Sequence, residues 1–392
     1  MNRLLANVFA INIARGMARV ALSWVMLQRF GAFGLSAVVL SMSVGQFLGS
    51  LSAGYLTDRL NRRKVARETS WISGAVFALV EVDFLNRHDG LFPICVLVFI
   101  IYILLSVHDN AARTLIPSIV SSGDDIERAN GHFITTGEVG SFIGPAITGL
   151  LIGFYRAEIV IILAVACCIV AAMAMGGLDP KGDAHRFQCE KREAAAESLT
   201  IGFFIANAWL VFGLLLAVLA NIFIVPISLV LVPLRINEVG FGAVELGYFY
   251  AALSAGFAAA GLLGMRDLWS RLGELRLGAF LAAGSGIYGL TSYFHILPII
   301  VICGLGAGFF LAKFEIGWNS LMQSRIRANM IGRVYGLGSW TSFAGRTIGV
   351  SAVGMVASVS SVQITTFGSI LCLMLGIAVV TVLTQTRIVQ IE

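Results

Sequence analysis

Two arginines lie in the apolar run that opens the chain. Asn12, Arg15, Arg19 and Ser23 fall at i, i+3, i+7 and i+11, which places them on one face of a helix. Counted from residue 6 at about 1.5 Å per residue, Arg15 and Arg19 lie ~13 and ~19 Å along it, well inside a hydrocarbon layer. An ionisable side chain at mid-bilayer costs at least ~2.5–3.5 kcal/mol on insertion scales, so each needs a partner, a wet cavity or a task. Two cations one turn apart repel unless an anion or a carboxylate sits between them. Either a neighbouring helix supplies the acid and the arginines are structural, or they line a cavity that binds an anionic ligand.

Other ionisable residues also fall in apolar runs: His108, Asp109 and Arg113, then His132 and Glu138, then Lys313 and Glu315, then Arg346. Glu138 stands about ten residues into its run, with Gly137 and Gly140 beside it. A carboxylate there has a proton affinity that changes with its surroundings, which proton coupling requires. Its alternative is a permanent salt bridge to Arg15, Arg19 or Arg346. Asp109 and Glu315 are the next proton-coupling candidates; each could instead pair near the cytoplasmic side with Arg113 or Lys313. The histidines read as packing or gate residues. Asn12, Arg15, Arg19, Glu138, Lys313, Asn319 and Arg346 form the expected substrate-binding set. Cations outnumber clear acids within these runs, which favours an anionic small molecule.

The elements that carry these residues follow from composition. Of 392 residues, 58% are hydrophobic and 12% charged, against roughly 25% charged in a soluble domain. The surroundings must be largely lipid. A spanning helix needs about 20 apolar residues, and apolar runs fall near 6–28, 34–57, 69–85, 91–115, 129–154, 158–178, 209–233, 243–265, 277–294, 296–321, 332–357 and 363–385. The expected fold is an all-α membrane protein of twelve transmembrane helices in two pseudo-symmetric six-helix bundles. These are residues 1–178 and 201–392, joined by a hydrophilic linker at 179–200. The first run is too long, and too interrupted by Arg15 and Arg19, for a cleaved signal peptide, so it reads as the first span.

Of the 27 Lys and Arg, eighteen fall at one side of this arrangement, while Arg29, Arg87, Arg156 and Arg235 fall at the other. The positive-inside rule then puts both termini in the cytoplasm, and the expected location is a bacterial inner membrane. Net charge of +5 belongs to the cytoplasmic loops and carries no expectation of nucleic acid. Cys95, Cys167, Cys168, Cys189, Cys303 and Cys372 show no CxxC pair and no metal spacing, so neither metal nor cofactor is expected. HExxH, GxSxG and nucleotide-loop patterns are missing from the sequence, which speaks against an enzyme.

Three patterns carry more than composition. Arg128, Gly131, Gly140, Gly144 and Gly149 recur 205 residues later as Arg333, Gly336, Gly345, Gly349 and Gly354. Parallel repeats related by an axis along the membrane normal are a transporter plan, with the site near the midplane between halves. The loop after the second span reads Gly54-Tyr-Leu-Thr-Asp58-Arg59-Leu-Asn61-Arg62-Arg63-Lys64. In the fifth span, Gly131, Gly140, Gly144, Pro145, Thr148 and Gly149 form a glycine-proline pattern. Its small residues at i, i+4 and i+8 let another backbone approach, and Pro145 frees a carbonyl and bends the helix.

The loop resembles the signature loop of the major facilitator superfamily, with Asn61 where the family has glycine. The fifth-span pattern resembles that family's antiporter motif, with Thr148 where the family has glycine. Asp109-Asn-Ala-Ala-Arg113-Thr-Leu-Ile-Pro117, with Glu127-Arg128-Ala129-Asn130, is similar to the branch that holds siderophore exporters and macrolide efflux pumps. The resemblance implies a cytoplasmic latch made by Gly54, Asp58, Arg59, Arg62, Arg63 and Arg113, its Asp meeting the start of the eleventh helix. It also implies a monomeric proton-coupled exporter working by alternating access on a small molecule, with protons and the lipid bilayer as its other partners. Multidrug or macrolide efflux is the rival within this reading. A uniporter or importer on the same scaffold is disfavoured by the fifth-span motif.

Overall fold

The computed structural model describes residues 1–85, 90–119, 123–154, 157–176, 203–204, 207–262, 275–326 and 328–388, and among them every regular element is a helix. In chain order these are α1 (Asn2–Arg59), α2 (Arg62–Leu85), α3 (Leu91–Arg113), the short α4 (Ile116–Ile119), α5 (Gly123–Phe154) and α6 (Ala157–Gly176). There follow α7 (Ala208–Pro226), a π-helical turn (Ile227–Leu231) and α8 (Val232–Glu238), then α9 (Ala243–Leu262), α10 (Leu275–Leu290), α11 (Leu297–Arg325), α12 (Ala328–Ala357) and α13 (Val362–Ile388). Among the described residues, seven helices are long and apolar enough to cross a membrane. They turn large apolar side chains such as Phe92, Ile302 and Leu375 outward, as lipid-facing surfaces do.

The sequence leads one to expect a loop between the first two spans, and the chain uses one residue. Within α1 only Gly31 leaves helical geometry, at φ 63° and ψ −155°, a region that glycine alone enters without cost. A Cβ there would meet nothing within 4 Å, so the backbone conformation, not space, requires glycine. Packing on α3 shows that the chain reverses at this point. On the first arm, Asn7 reaches His108 while Arg15 reaches Leu105, so the numbering runs against that of α3. On the second arm, Cβ atoms at Gly45 and Gly49 would stand 2.6 and 2.7 Å from the Phe99 and Ile103 carbonyls, so the two run together.

The chain divides into two compact units, Met1–Phe187 with Phe241–Tyr248, and Gln188–Gly240 with Phe249–Glu392. The linker expected at 179–200 lies outside the described residues. In the first unit α1 packs against α3, α5 and α6, and α2 packs against α3 and α6. A cluster of Leu4, Val8, Val107, Ala111, Leu115 and Phe133 ties α1, α3 and α5 together near the start of α1. In the second unit α7 packs against α12 and α13, and α10 against α11 and α13.

The glycines related by the 205-residue offset do the same work in each unit. Cβ atoms at Gly140 and Gly144 of α5 would stand 2.8 and 2.5 Å from the Phe9 and Ile13 carbonyls of α1. At Gly345 of α12 a Cβ would stand 3.2 Å from the Val218 carbonyl of α7, and at Gly349 it would collide with the Ile222 carbonyl. In both seams the helices approach backbone to backbone, which only small residues permit. An asparagine marks each: Asn12 bonds the Val8 carbonyl at 2.8 Å, and Asn221 bonds the Ala217 carbonyl at 2.9 Å.

Candidate functional site

The two seams differ in the residues beyond the asparagine. Three and seven residues after Asn221 stand Ile224 and Ser228; at the same steps from Asn12 stand Arg15 and Arg19. Charge therefore enters the first unit's helix face and is missing from the matching face of the second.

Arg15 is neutralised by a neighbouring helix. Its Nη2 donates to Asp109 Oδ2 on α3 at 2.7 Å and to the Leu105 carbonyl at 3.3 Å, and its Nη1 donates to Asn12 Oδ1 at 3.2 Å. Asn12 Oδ1 also accepts from Ser141 Oγ on α5 at 3.2 Å. Arg15 thus pairs with an acid from a neighbouring helix, in a network that joins α1, α3 and α5. The Asp109 side chain is 40% exposed against 17% for Arg15. A carboxylate facing lipid is disfavoured by kilocalories, so this edge of the pair is the one that faces water.

The same chain of polar groups continues inward. His108, 1% exposed, lies with Nδ1 3.6 Å from Asp109 Oδ1 and Nε2 2.9 Å from Asn7 Oδ1. Asn7 Nδ2 in turn donates to the Ala171 carbonyl of α6 at 2.8 Å. Asn7 is a residue that sequence reasoning passed over. The signal available was a lone amide in an apolar run, one helix face away from the arginines.

Arg19 differs from Arg15. It is half-buried, its Nε is buried without a hydrogen-bond partner, and among the described residues no acid pairs with it. One turn further, Ser23 is 4% exposed and its Oγ also lacks a partner. A guanidinium and a hydroxyl, adjacent on one face and both unsatisfied, can bind an anion through charge-assisted hydrogen bonds.

The remaining expected residues fall in several places. Lys313 on α11 is buried, donates to the Ala260 carbonyl of α9 at 3.0 Å and lies 5.4 Å from the Phe309 ring centroid. Glu315 is exposed and Asn319 half-buried. Arg346 lies over Phe343 at 5.6 Å and, at the 205-residue offset, stands where the first unit has Ser141. Gly149 meets the backbone of Gly247 on α9, within the first compact unit, and Pro145 packs its ring against Gly16. The side chains of Gly54, Asp58, Arg59, Gly131 and Glu138 lie outside the described residues.

Three arginines expected in a latch have their described contacts inside the first unit. Arg62 donates to the Thr114 carbonyl at 3.1 Å, just past the end of α3, and Arg63 donates to the carbonyls of Met175 (3.1 Å) and Gly176 at the end of α6. The last carbonyls of a helix have no intrahelical donor, and its C-terminus favours a cation. These two side chains staple the start of α2 to two helix ends. Arg113 is exposed and lies over Phe133 at 5.6 Å, while Asp109 takes Arg15 instead.

The profile of the Major Facilitator Superfamily matches residues 4–350. The multidrug efflux pump Tap of Mycobacterium tuberculosis (strain ATCC 25618 / H37Rv) is 22% identical over 365 residues, covering 89% of this chain and 85% of its own length. The enterobactin exporter EntS of Escherichia coli O6:K15:H31 is 27% identical over 355 residues, covering 87% and 81% respectively. The crystal structure of a D-xylose–proton symporter superposes with a TM-score of 0.72 at 13% identity over 95% of this chain and 96% of that one, a likeness of fold. With the glycine seams, the apolar helices and a profile that spans most of its length, this multi-pass membrane protein belongs to the major facilitator superfamily.

Proposed function

We propose that the chain is a proton-driven exporter of a small anion such as a siderophore, working by alternating access in the bacterial inner membrane with both termini in the cytoplasm. The observation that carries the anionic reading is Arg19, with no acid paired to it among the described residues, one turn beyond the Arg15–Asp109 pair and with the unsatisfied Ser23 hydroxyl beside it. The EntS and Tap relatives support export.

Dividing α1 at Gly31 and joining α7, the π turn and α8 into one crossing gives twelve crossings. That supports two pseudo-symmetric six-helix bundles over residues 1–178 and 201–392. In this scheme Asn12, Arg15, Arg19, Glu138, Lys313, Asn319 and Arg346 contribute to substrate binding, and Asp109, Glu138 and Glu315 are the acids available for protons.

Asp109 has the clearest part to play. A proton on it removes the charge that holds Arg15 and so loosens α1 from α3. That proton would also free Arg15 for an anion, so at a single moment the two ligands would help each other. Antiport therefore requires that the anion be carried on Arg19 while the Arg15–Asp109 pair stays closed. The pair opens by protonation only after release.

Efflux of cationic drugs is the second reading, favoured by the Tap relative and by the exposed edge of Asp109, where a cation and a proton would compete directly. Export assays in a deletion strain separate the two. The anionic reading expects loss of enterobactin secretion with drug resistance unchanged. Loss of resistance to cationic dyes with secretion intact would replace it with the second reading.

A further inference from the structure

We propose that His108 is the proton-holding partner of Asp109, with Asn7 fixing which ring nitrogen takes the proton. This rests on the proton-coupled reading above and adds a residue to it. The direction of the hydrogen-bond chain is set at its far end. The Ala171 carbonyl can only accept, so Asn7 presents its Nδ2 to α6 and its Oδ1 to the histidine. An amide oxygen accepts, so His108 Nε2 must carry a hydrogen and donate at 2.9 Å.

In the neutral ring Nδ1 is then a bare acceptor. It is buried with no hydrogen-bond partner, 3.6 Å from Asp109 Oδ1. Two acceptors face each other there, an arrangement that costs free energy when desolvated. A proton on Nδ1 turns the contact into a charge-assisted donor and acceptor pair. Neutral histidine tautomers are told apart in this way by what the other nitrogen bonds.

The charged groups around the ring are few. Among the described residues, α1 brings the charge of Arg15, on the far side of the carboxylate, and the uncharged amides of Asn7 and Asn12; on α3 there is Asp109 itself. From α5, Ser141 reaches the network through Asn12, and from α6 only the Ala171 carbonyl enters it. Glu138 follows Gly137, whose Cβ would stand 3.5 Å from Asn12 Nδ2, but its side chain lies outside the described residues. Asp109 therefore has two cationic neighbours when His108 is protonated and one when it is not. A proton delivered along the exposed edge of Asp109 passes from Oδ1 to Nδ1, after which the carboxylate is charged again and its pair with Arg15 re-forms. The carboxylate is the entry point and the imidazole the store.

The test uses the full-length chain, labelled with 15N-histidine and reconstituted in lipid vesicles, with His108→Gln identifying the resonances of that ring. The neutral ring is expected to carry its hydrogen on Nε2 and the acid form to carry one on each nitrogen. Asn7→Leu removes the tautomer lock, so the Nδ1–H form should appear beside the other. A neutral ring protonated on Nδ1 in the wild type, or a ring that keeps one protonation state at every pH where the protein stays folded, overturns the proposal.

Proton flux separates this from the exporter reading. With enterobactin as probe, His108→Gln should lower proton-driven accumulation about tenfold while exchange of labelled for unlabelled probe stays within about twofold. Coupled flux in the wild type with an unchanged pH profile in His108→Gln rejects the role of His108 alone. No proton-linked flux in a wild type whose ring titrates as described rejects the exporter reading and leaves the proton site standing.

Discussion

Arg15 and Arg19 share a helix face and four residues of spacing, yet they have different fates. A carboxylate from α3 meets the first and none among the described residues meets the second. Their spacing was legible in the sequence. The partner was not, because Asp109 is 94 residues away and pairs only once α3 runs against the first arm of α1. The histidine beside it looked like packing for the same reason: its polar contacts come from Asn7, 101 residues earlier.

Substitutions at these two sites should part in the same way. Arg19→Gln should lower anion transport at least about tenfold while leaving thermal stability unchanged, since it removes one charge-assisted contact to the ligand and no ion pair among the described residues. Radiolabelled flux beside a melting curve reads both. Asp109→Asn should abolish accumulation against a gradient yet retain exchange at equilibrium. It should also cost stability, about 3–5 kcal/mol if the Arg15 charge is left uncompensated in a buried setting and less in proportion to the water reaching it. Counterflow and proton-driven uptake on the same vesicles distinguish these.

Among the helices, glycine sets the fold's contacts. The seams α1–α5 and α7–α12 are backbone to backbone at Gly140, Gly144, Gly345 and Gly349, and the 205-residue offset made that repetition visible before any coordinates. What the sequence concealed was the turn between the first two crossings. The break at residues 29–33 between the first two apolar runs suggested a loop, whereas Gly31 alone reverses the chain, because one residue at positive φ suffices when helices on both sides continue to its neighbours. The arginines after α1 have a second role that residue type does not reveal: beyond the basic loop that the sequence shows, Arg62 and Arg63 cap the ends of α3 and α6.

Gly144→Leu should destabilise the chain severely. Its Cβ alone would stand 2.5 Å from the Ile13 carbonyl, and overpacking a tight contact costs typically about 1–3 kcal/mol or more. Gly349→Leu should do the same through Ile222, as read by thermal unfolding in detergent. Gly31→Ala should cost about 1–3 kcal/mol from the residue's own backbone conformation, with no clash against neighbouring side chains. A β-branched residue there would be worse than alanine, and equal stability of both variants would argue against the strain.

Over the whole molecule, twelve crossings should place Asn61 in the cytoplasm and Ser360 outside. Membrane-impermeant maleimide applied to intact cells should label Ser360→Cys and spare Asn61→Cys until the membrane is opened. Labelling of both from one side would break the twelve-crossing reading. The membrane class and the family were legible from apolar runs and two glycine-bearing motifs, since lipid imposes those patterns on local sequence. The substrate was not, because it is set by a few side chains gathered from different helices.

Whether an anion rides on Arg19 against a proton gradient is decided by uptake of labelled enterobactin into inside-out proteoliposomes with an acidic lumen. The wild type should accumulate the label, a protonophore should collapse the accumulation, and Arg19→Gln should reduce it at least about tenfold. Wild-type accumulation by the Arg19→Gln variant, or uptake of a cationic dye in place of enterobactin, would contradict it.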